Sequence, residues 1–104
     1  MSSNIIIATD ETFESIVTSG NYLVDFYSQQ CQPCKQMDRI LQSLTISNLT
    51  VVKVDVSANP IITSKHHVRG VPTFILYKDG IIQDTKSGSI PQSQFIKWLE
   101  ESLV

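Results

Sequence analysis

Residues 25–35 read DFYSQQCQPCK, where an apolar run gives way to polar residues and then to two cysteines, Cys31 and Cys34. The run from Tyr22 to Tyr27 is almost continuously apolar, which is typical of a strand that helices cover on both faces. After Cys34, apolar residues recur at helical spacing from Met37 to Leu44. The stretch therefore predicts a central strand, a turn, and a helix that begins at the first cysteine.

The position of the two cysteines predicts redox chemistry. At the start of a helix, Cys31 can act as the N-cap, and its sulfur then faces unpaired backbone N–H groups and the positive end of the helix dipole, which favours a thiolate. Pro33 lies in the first turn and has no N–H, so we expect the N–H of Cys34 to donate to the Cys31 sulfur. In thiol–disulfide exchange, Cys31 would attack a substrate disulfide and Cys34 would resolve the mixed disulfide.

A CxxC pair by itself leaves two other interpretations open. The cysteines can be unrelated buried thiols, or half of a zinc site that needs two further ligands. His66 and His67 are the candidates for those ligands, but adjacent histidines point in different directions, so both reaching one metal ion is awkward. We therefore expect no metal site, and we expect the histidines to be exposed or partly packed.

The rest of the chain predicts alternating strands and helices. Strands are expected at residues 4–8, 22–27, 49–56, 73–77 and 81–86, and helices after an N-cap at Thr9 or Asp10, from Cys31, over Ser57–Val68, and with Pro91 in the first turn of the last one. Asp79-Gly80 predicts a tight hairpin turn. The order βαβαβαββα predicts an α/β fold, a three-layer α/β/α sandwich with a central mixed five-stranded sheet.

Composition and charge limit the possible functions. With 104 residues, of which 41% are hydrophobic and 17% charged, we expect a single domain over residues 1–104 that folds as a monomer. A net charge of -2 without a basic cluster argues against nucleic-acid binding. The sequence contains neither a glycine-rich phosphate loop nor a dinucleotide-binding fingerprint, so we expect no bound organic cofactor.

Cellular location follows from the start of the chain. Met1 to Ala8 has no basic lead and only a short apolar run, so we expect no signal peptide, and no span approaches transmembrane length. We therefore expect a cytoplasmic protein with no membrane contact. Ordinary thiols stay reduced in that compartment, so a close cysteine pair there indicates redox catalysis or part of a metal site.

The sequence resembles the thioredoxin family over essentially its whole length. Members carry a strand with a buried Asp, a CxxC motif with Gly-Pro between the cysteines, a Lys on the next strand, an Arg-Gly-Val/Ile-Pro-Thr segment and a late Gly. This chain supplies, in the same order, Asp25, Cys31, Pro33, Cys34, Lys53, Arg69-Gly70-Val71-Pro72-Thr73 and Gly88. The resemblance implies the thioredoxin fold and a protein-disulfide reductase that a thioredoxin reductase recharges with NADPH. It also implies that Cys31 and Cys34 store the redox equivalents without a cofactor.

The resemblance also implies roles for two charged residues. Asp25 would be buried in an apolar strand, with a raised pKa, and would exchange a proton with Cys34. Lys53 would be its partner. The alternative is that both residues lie at solvent-exposed edges of the sheet.

A third implied feature is a cis peptide bond between Val71 and Pro72, held against the CxxC motif. The Val71 backbone could then pair with an extended substrate peptide. The alternative is an ordinary trans proline that opens a strand. The other residues implied to face substrate are Gln30, Gln32, Pro33, Gly70 and Gly88.

The chain departs from the family at several of these positions. Gln30 stands where members usually carry Trp before the first cysteine, and Gln32 stands where they carry Gly, which affects substrate contact and redox potential. His66 and His67 fall where members often have Tyr and Gly near the active-site rim. If His66 approaches Cys31, its imidazolium would favour the thiolate.

These departures leave three functional hypotheses. The first is a general reductase of protein disulfides. The second is a specialised redox protein with narrow clients or a more oxidising potential, suggested by Gln30 and Gln32. The third is a thioredoxin-fold binding module in which the cysteines are incidental, although a pure binder has no need of a buried Asp.

Overall fold

Strands and helices alternate along the chain in the predicted order. The structure, a computed structural model, describes residues 5–103. The strands are β1 (Ile5–Ile7), β2 (Asn21–Tyr27), β3 (Leu49–Asp55), β4 (Thr73–Lys78) and β5 (Ile81–Ser87). The helices are α1 (Phe13–Val17), α2 (Gln32–Ser43), α3 (Pro60–Lys65) and α4 (Gln92–Ser102). Residue 4, with which the first predicted strand begins, lies outside the described residues.

The strands form one mixed five-stranded sheet in the order β1-β3-β2-β4-β5. β3 runs parallel to both β1 and β2, whereas β4 runs antiparallel to β2 and β5 antiparallel to β4. β2 lies in the centre, as its apolar run predicts, and its residues Leu23 to Phe26 are buried. The mixed sheet and its central strand are therefore confirmed.

Helices cover both faces of the sheet because successive side chains of a central strand point to opposite sides. On one face, Leu23 of β2 belongs to a core cluster with Met37 and Leu41 of α2 and with Phe95 and Leu99 of α4. On the other face, Val24 and Phe26 of β2 belong to a cluster with Phe13 and Val17 of α1 and Ile62 of α3. The three-layer sandwich is thus confirmed, and Asp25, two residues after Leu23, points to the face that α2 covers.

The hairpin between β4 and β5 has the predicted turn. Asp79 and Gly80 both have positive φ, at 50° and 81°, as a tight turn between twisted antiparallel strands requires. The Asp79 carboxylate also accepts a hydrogen bond from the backbone N–H of Gly20 at 2.8 Å. This bond ties the hairpin to the start of β2.

Two predicted helix boundaries are wrong for local reasons. The third helix covers Pro60–Lys65 rather than Ser57–Val68. Ser57 is instead held in a turn, since its hydroxyl and its N–H both donate to Asp55 Oδ1. At the other end, His67 has a φ of 55°, outside the right-handed helical region.

The first helix begins later than predicted, with Thr12 rather than Thr9 or Asp10 at the N-cap. Asp10 has a different partner, because its carboxylate accepts hydrogen bonds from the backbone N–H groups of Ile61 and Ile62 at 3.4 and 2.9 Å. Asp10 therefore satisfies the orphan donors at the start of α3, 51 and 52 residues further along the chain.

The last helix, α4, begins one residue after Pro91, which is the N-cap rather than part of the first turn. Phe95 and Leu99 of α4 are buried, and Trp98 is buried too. Its indole N–H donates to Asp84 Oδ2 at 2.8 Å, so α4 is anchored to β5. Between residues 5 and 103, no helix has both the length and the apolar character needed to cross a membrane.

Candidate active site

The two cysteines lie at the junction of β2 and α2. Cys31 is the N-cap of α2, with extended backbone angles, and its sulfur accepts a hydrogen bond from the N–H of Cys34 at 3.1 Å. Pro33 lies in the first turn, where its missing N–H costs nothing. The local geometry is the one that the sequence predicts, and it places the Cys31 sulfur at the positive end of the helix.

Cys31 and Cys34 form a disulfide bond, with their Cα atoms 5.2 Å apart. Cys31 is partly exposed, whereas Cys34 is only 2% exposed. The sulfurs are thus paired with each other rather than being unrelated thiols. Within residues 5–103, no group of three or more His, Cys, Asp or Glu side chains is arranged to hold a metal ion.

Asp25 is a buried carboxylate on the face of the sheet that α2 covers. It is 1% exposed, and its neighbour across the parallel β2–β3 pairing is Lys53. Burial raises the pKa of Asp25 to about 7, the positive charge of Lys53 acts in the opposite direction, and Asp38 adds a further upward contribution. The alternative placement at a solvent-exposed edge is therefore wrong for Asp25.

Lys53 connects Asp25 to α2. Its Nζ lies 3.8 Å from Asp25 Oδ2 and 2.5 Å from Asp38 Oδ1, and it stands 4.6 Å from the centroid of the Tyr27 ring. Its side chain is 15% exposed, so the edge placement is wrong for this residue as well. Asp38 lies one helical turn after Cys34, on the same side of α2. Asp25 and Lys53 therefore lie beneath α2, the helix that carries Asp38 and Cys34.

Sequence reasoning missed Asp38 and Tyr27 as members of this cluster. Two periodicities could have found them: Asp38 follows Cys34 by four residues on a helix, and Tyr27 follows Asp25 by two on a strand. Burial raises the pKa of the Tyr27 hydroxyl, with a smaller upward contribution from Asp55.

The peptide bond between Val71 and Pro72 is cis, as the resemblance implies. The Pro72 carbonyl accepts a hydrogen bond from the N–H of Gly88 at 2.8 Å, and Gly88 has a φ of 85°, which favours glycine. Gly70, Val71, Pro72 and Gly88 line one groove of about 460 Å³. The structure therefore brings together four of the residues assigned to this surface.

The remaining substrate-facing candidates lie directly before Cys31 and in the first turn of α2. Gln30, Gln32 and Pro33 are exposed. Gln30 lines a separate hollow with Ser28, Gln29 and Ser57. An exposed amide thus occupies the position before Cys31, where the family carries an aromatic ring.

His66 does not make the suggested contact with Cys31. Its Nδ1 donates to the carbonyl of Ile62 at 2.9 Å, and its Nε2 lies 2.5 Å from the Tyr77 hydroxyl, which can donate to it in the neutral ring. The ring also packs against Phe13 and Phe26, with centroids 5.1 and 5.4 Å apart. Both nitrogens are therefore engaged by residues of α3 and β4, and His66 is partly packed, as expected, while His67 is exposed.

Comparison with known proteins agrees with this geometry. The family model described as thioredoxin matches residues 4–101. Among curated proteins, thioredoxin of Rhodospirillum rubrum is 36% identical over 100 residues, which cover 91% of this chain and 96% of that protein. Thioredoxin of Rickettsia bellii is 33% identical over 108 aligned positions, covering 99% and 100%. Thioredoxin Y2, chloroplastic, of Arabidopsis thaliana is 35% identical over 100 residues, covering 91% of this chain and 60% of that protein.

Proposed function

This chain belongs to the thioredoxin family, and we propose that it is a general reductant of protein disulfides in which Cys31 attacks and Cys34 resolves. It is a thiol–disulfide oxidoreductase that works through its own Cys31–Cys34 disulfide. The observation that carries the assignment of roles is the unequal exposure of the two sulfurs at the start of α2. The partly exposed Cys31 can contact a client disulfide, whereas Cys34 is buried and can react only with Cys31.

The first step is attack by Cys31 on a client disulfide. The Cys31 thiolate forms a bond to one client sulfur, the client S–S bond breaks, and the other client sulfur leaves as a thiolate. The Cys34 N–H, which donates to the Cys31 sulfur here, would stabilise the attacking thiolate together with the helix dipole.

The second step is attack by Cys34 on Cys31. Cys34 must lose its proton, and we assign the buried Asp25 as the acceptor, because a carboxylate with a pKa of about 7 can both take and return a proton near neutral pH. The new Cys31–Cys34 bond forms as the bond from Cys31 to the client breaks. The client leaves with both thiols reduced, and the protein is left in the disulfide form of this structure.

We assign client positioning to the loop around Pro72. The Val71 backbone would pair with an extended client segment, with Gly70 and Gly88 leaving room in the groove that they line. Gln30, Gln32 and Pro33 would also contact the client, because all three are exposed and flank Cys31 in the sequence.

We further propose that the partners are a thioredoxin reductase using NADPH and disulfide-containing client proteins, in the cytoplasm. The protein would act as a monomer without a bound cofactor and without nucleic acid or membrane partners. We also propose a single domain over residues 1–104. The proposal is supported by the five strands, which form one continuous sheet and extend along the chain from Ile5 to Ser87.

The experiment is a coupled assay with bacterial thioredoxin reductase, NADPH and insulin, in which NADPH oxidation is followed. We expect turnover with the wild type and none with Cys31→Ser. A specialised redox protein is the second candidate, because Gln30 and Gln32 are exposed beside the attacking sulfur. Turnover with glutathione but not with the reductase would favour it, and retained complex formation by Cys31→Ser without any redox effect would favour a binding module.

A further inference from the structure

Lys53 makes its hydrogen bond to Asp38 and not to Asp25. The Nζ–Oδ1 distance to Asp38 is 2.5 Å, whereas the Nζ–Oδ2 distance to Asp25 is 3.8 Å, which exceeds hydrogen-bond length. The ammonium is also held over the Tyr27 ring. Asp25 and Tyr27 of β2 and Asp38 of α2 therefore all lie near the Lys53 ammonium, and Asp38 makes the closest contact.

This arrangement leaves Asp25 poorly compensated. Neither of its carboxylate oxygens accepts a hydrogen bond from any group within residues 5–103, although the side chain is almost fully buried. Asp38 is different, since 33% of its side chain is exposed and solvent shares in balancing its charge. Lys53 is thus hydrogen-bonded to Asp38, whose charge is already partly stabilised by solvent, and not to the buried Asp25.

We propose that Asp38 is a positioning residue for the resolving step. Its carboxylate holds the Lys53 ammonium in a hydrogen bond and so prevents that ammonium from forming a hydrogen bond with Asp25. The proposal rests on the proposed function, in which Asp25 takes the proton of Cys34. Asp38 also lies on the Cys34 side of α2, so its own negative charge opposes a second negative charge on Asp25.

The groups around Asp25 make the direction of the effect clear. β3 contributes Lys53, α2 contributes Asp38, and Tyr27 follows on the same face of β2, while the β4 neighbour of Asp25 is the apolar Phe74. Removing the charge of Asp38 both frees Lys53 and removes a repulsion. Both changes favour the ionised form of Asp25 and move its protonation to lower pH.

The test uses Asp38→Asn, which removes the charge, and Asp38→Ala, which also removes the hydrogen-bond acceptor. Reduced protein is mixed with dithiobis-nitrobenzoate, and the release of nitrothiobenzoate is followed in stopped flow from pH 5 to 9. The first release reports attack by Cys31, and the second reports attack by Cys34 on the mixed disulfide. We expect the midpoint of the second phase to move to lower pH, with a rate about threefold higher at pH 6 because more Asp25 is ionised there.

Two controls accompany these variants. Asp38→Glu, which keeps the negative charge, should have the same pH midpoint of the second phase as the wild type. Glu14→Gln removes another acidic partner of a lysine, in the exposed pair between Glu14 of α1 and Lys65 of α3, and should leave the second phase unchanged. A merely structural role of Asp38 would alter stability without moving the midpoint.

The outcomes separate this proposal from the proposed function. If both Asp38 variants keep the wild-type midpoint while Asp25→Asn abolishes the pH dependence, the role of Asp38 is overturned and the proton role of Asp25 stands. If Asp25→Asn leaves the pH dependence intact, the proton role fails. The carboxyl ¹³C titration of Asp25 in the Asp38 variants then decides the proposal directly: a lower midpoint supports it, and an unchanged midpoint overturns it.

Discussion

Lys53 Nζ lies 3.8 Å from Asp25 Oδ2, within ion-pair distance but beyond hydrogen-bond distance. The pairing follows from the register of β2 and β3, in which these two residues are direct neighbours and share a face. The ammonium lowers the pKa of the carboxyl but does not offset its burial, so the pKa stays at about 7.

Replacing Lys53 with Met should move the proton exchange of Asp25 to higher pH. Loss of the cation removes the positive charge that lowers the Asp25 pKa, so the second nitrothiobenzoate phase should slow at pH 7 and recover at higher pH. This shift is opposite to the one expected for Asp38→Asn. Lys65→Met, at the exposed pair with Glu14, is the matched control, and an equal shift there would contradict the explanation.

The burial of Asp25 should make the wild type less stable as pH rises. The folded-state pKa of about 7 exceeds the ordinary aspartate pKa of 3.8, so the unfolded chain loses its proton first and folding stability falls as the pH rises from 3.8 to about 7. The loss reaches at most about 4 kcal/mol above pH 7. In Asp25→Asn this contribution is absent, so its free energy of unfolding, measured with urea in the oxidised form, should exceed that of the wild type more at pH 8 than at pH 4.

Asp84 offers a control with the opposite sign. The Trp98 indole N–H, which donates to Asp84, lowers the pKa of that carboxyl. Its contribution to stability is present above the unfolded pKa and is lost as pH falls through the folded one. Asp84→Asn should therefore cost more at pH 8 than at pH 3, and the same sign in both variants would contradict these pKa directions.

His66 should matter for stability and not for the reactivity of Cys31. Its ring is hydrogen-bonded to Ile62 and Tyr77 and packs against Phe13 and Phe26, so His66→Ala should lower the free energy of unfolding by about 2 kcal/mol. The thiolate pKa of Cys31, measured by ultraviolet absorbance in the reduced form, should not change. Tyr77→Phe removes only the hydroxyl partner and should cost about 1 kcal/mol.

Gln30 should limit the affinity for protein clients. Because its side chain is exposed beside Cys31, Gln30→Trp can add an aromatic contact with a client without disturbing the core. We expect kcat/KM for insulin to rise about fivefold, as a contact worth about 1 kcal/mol implies. The reaction with dithiobis-nitrobenzoate, a small disulfide that offers little contact area, is the control and should change little.

Local signals made the CxxC geometry predictable, whereas the long-range contacts were not. The cap at Cys31 depends on a strand end, a proline and a helical repeat that lie within a few residues of one another. The partners of Asp10 and Lys53, by contrast, lie 52 and 15 residues away, and they depend on how the elements pack together. The early end of α3 depends on the positive φ of His67, a conformation that this residue type does not predict.

The resemblance to thioredoxins supplied what periodicity could not. An apolar strand alone does not show whether Asp25 is buried, and a Val-Pro pair alone does not predict a cis bond. The resemblance did not predict the contacts of His66 with Phe13 and Tyr77, because these depend on the packing around α3 in this chain.

The most direct test of the central claim is the reduction of insulin disulfides by dithiothreitol, followed as turbidity, with the wild type, Cys31→Ser and Cys34→Ser side by side. We expect the wild type alone to accelerate precipitation, because Cys34→Ser keeps the attacking thiol but lacks the thiol that resolves the mixed disulfide with insulin. Acceleration by Cys31→Ser equal to that of the wild type, or no acceleration by any of the three proteins, would contradict the dithiol mechanism.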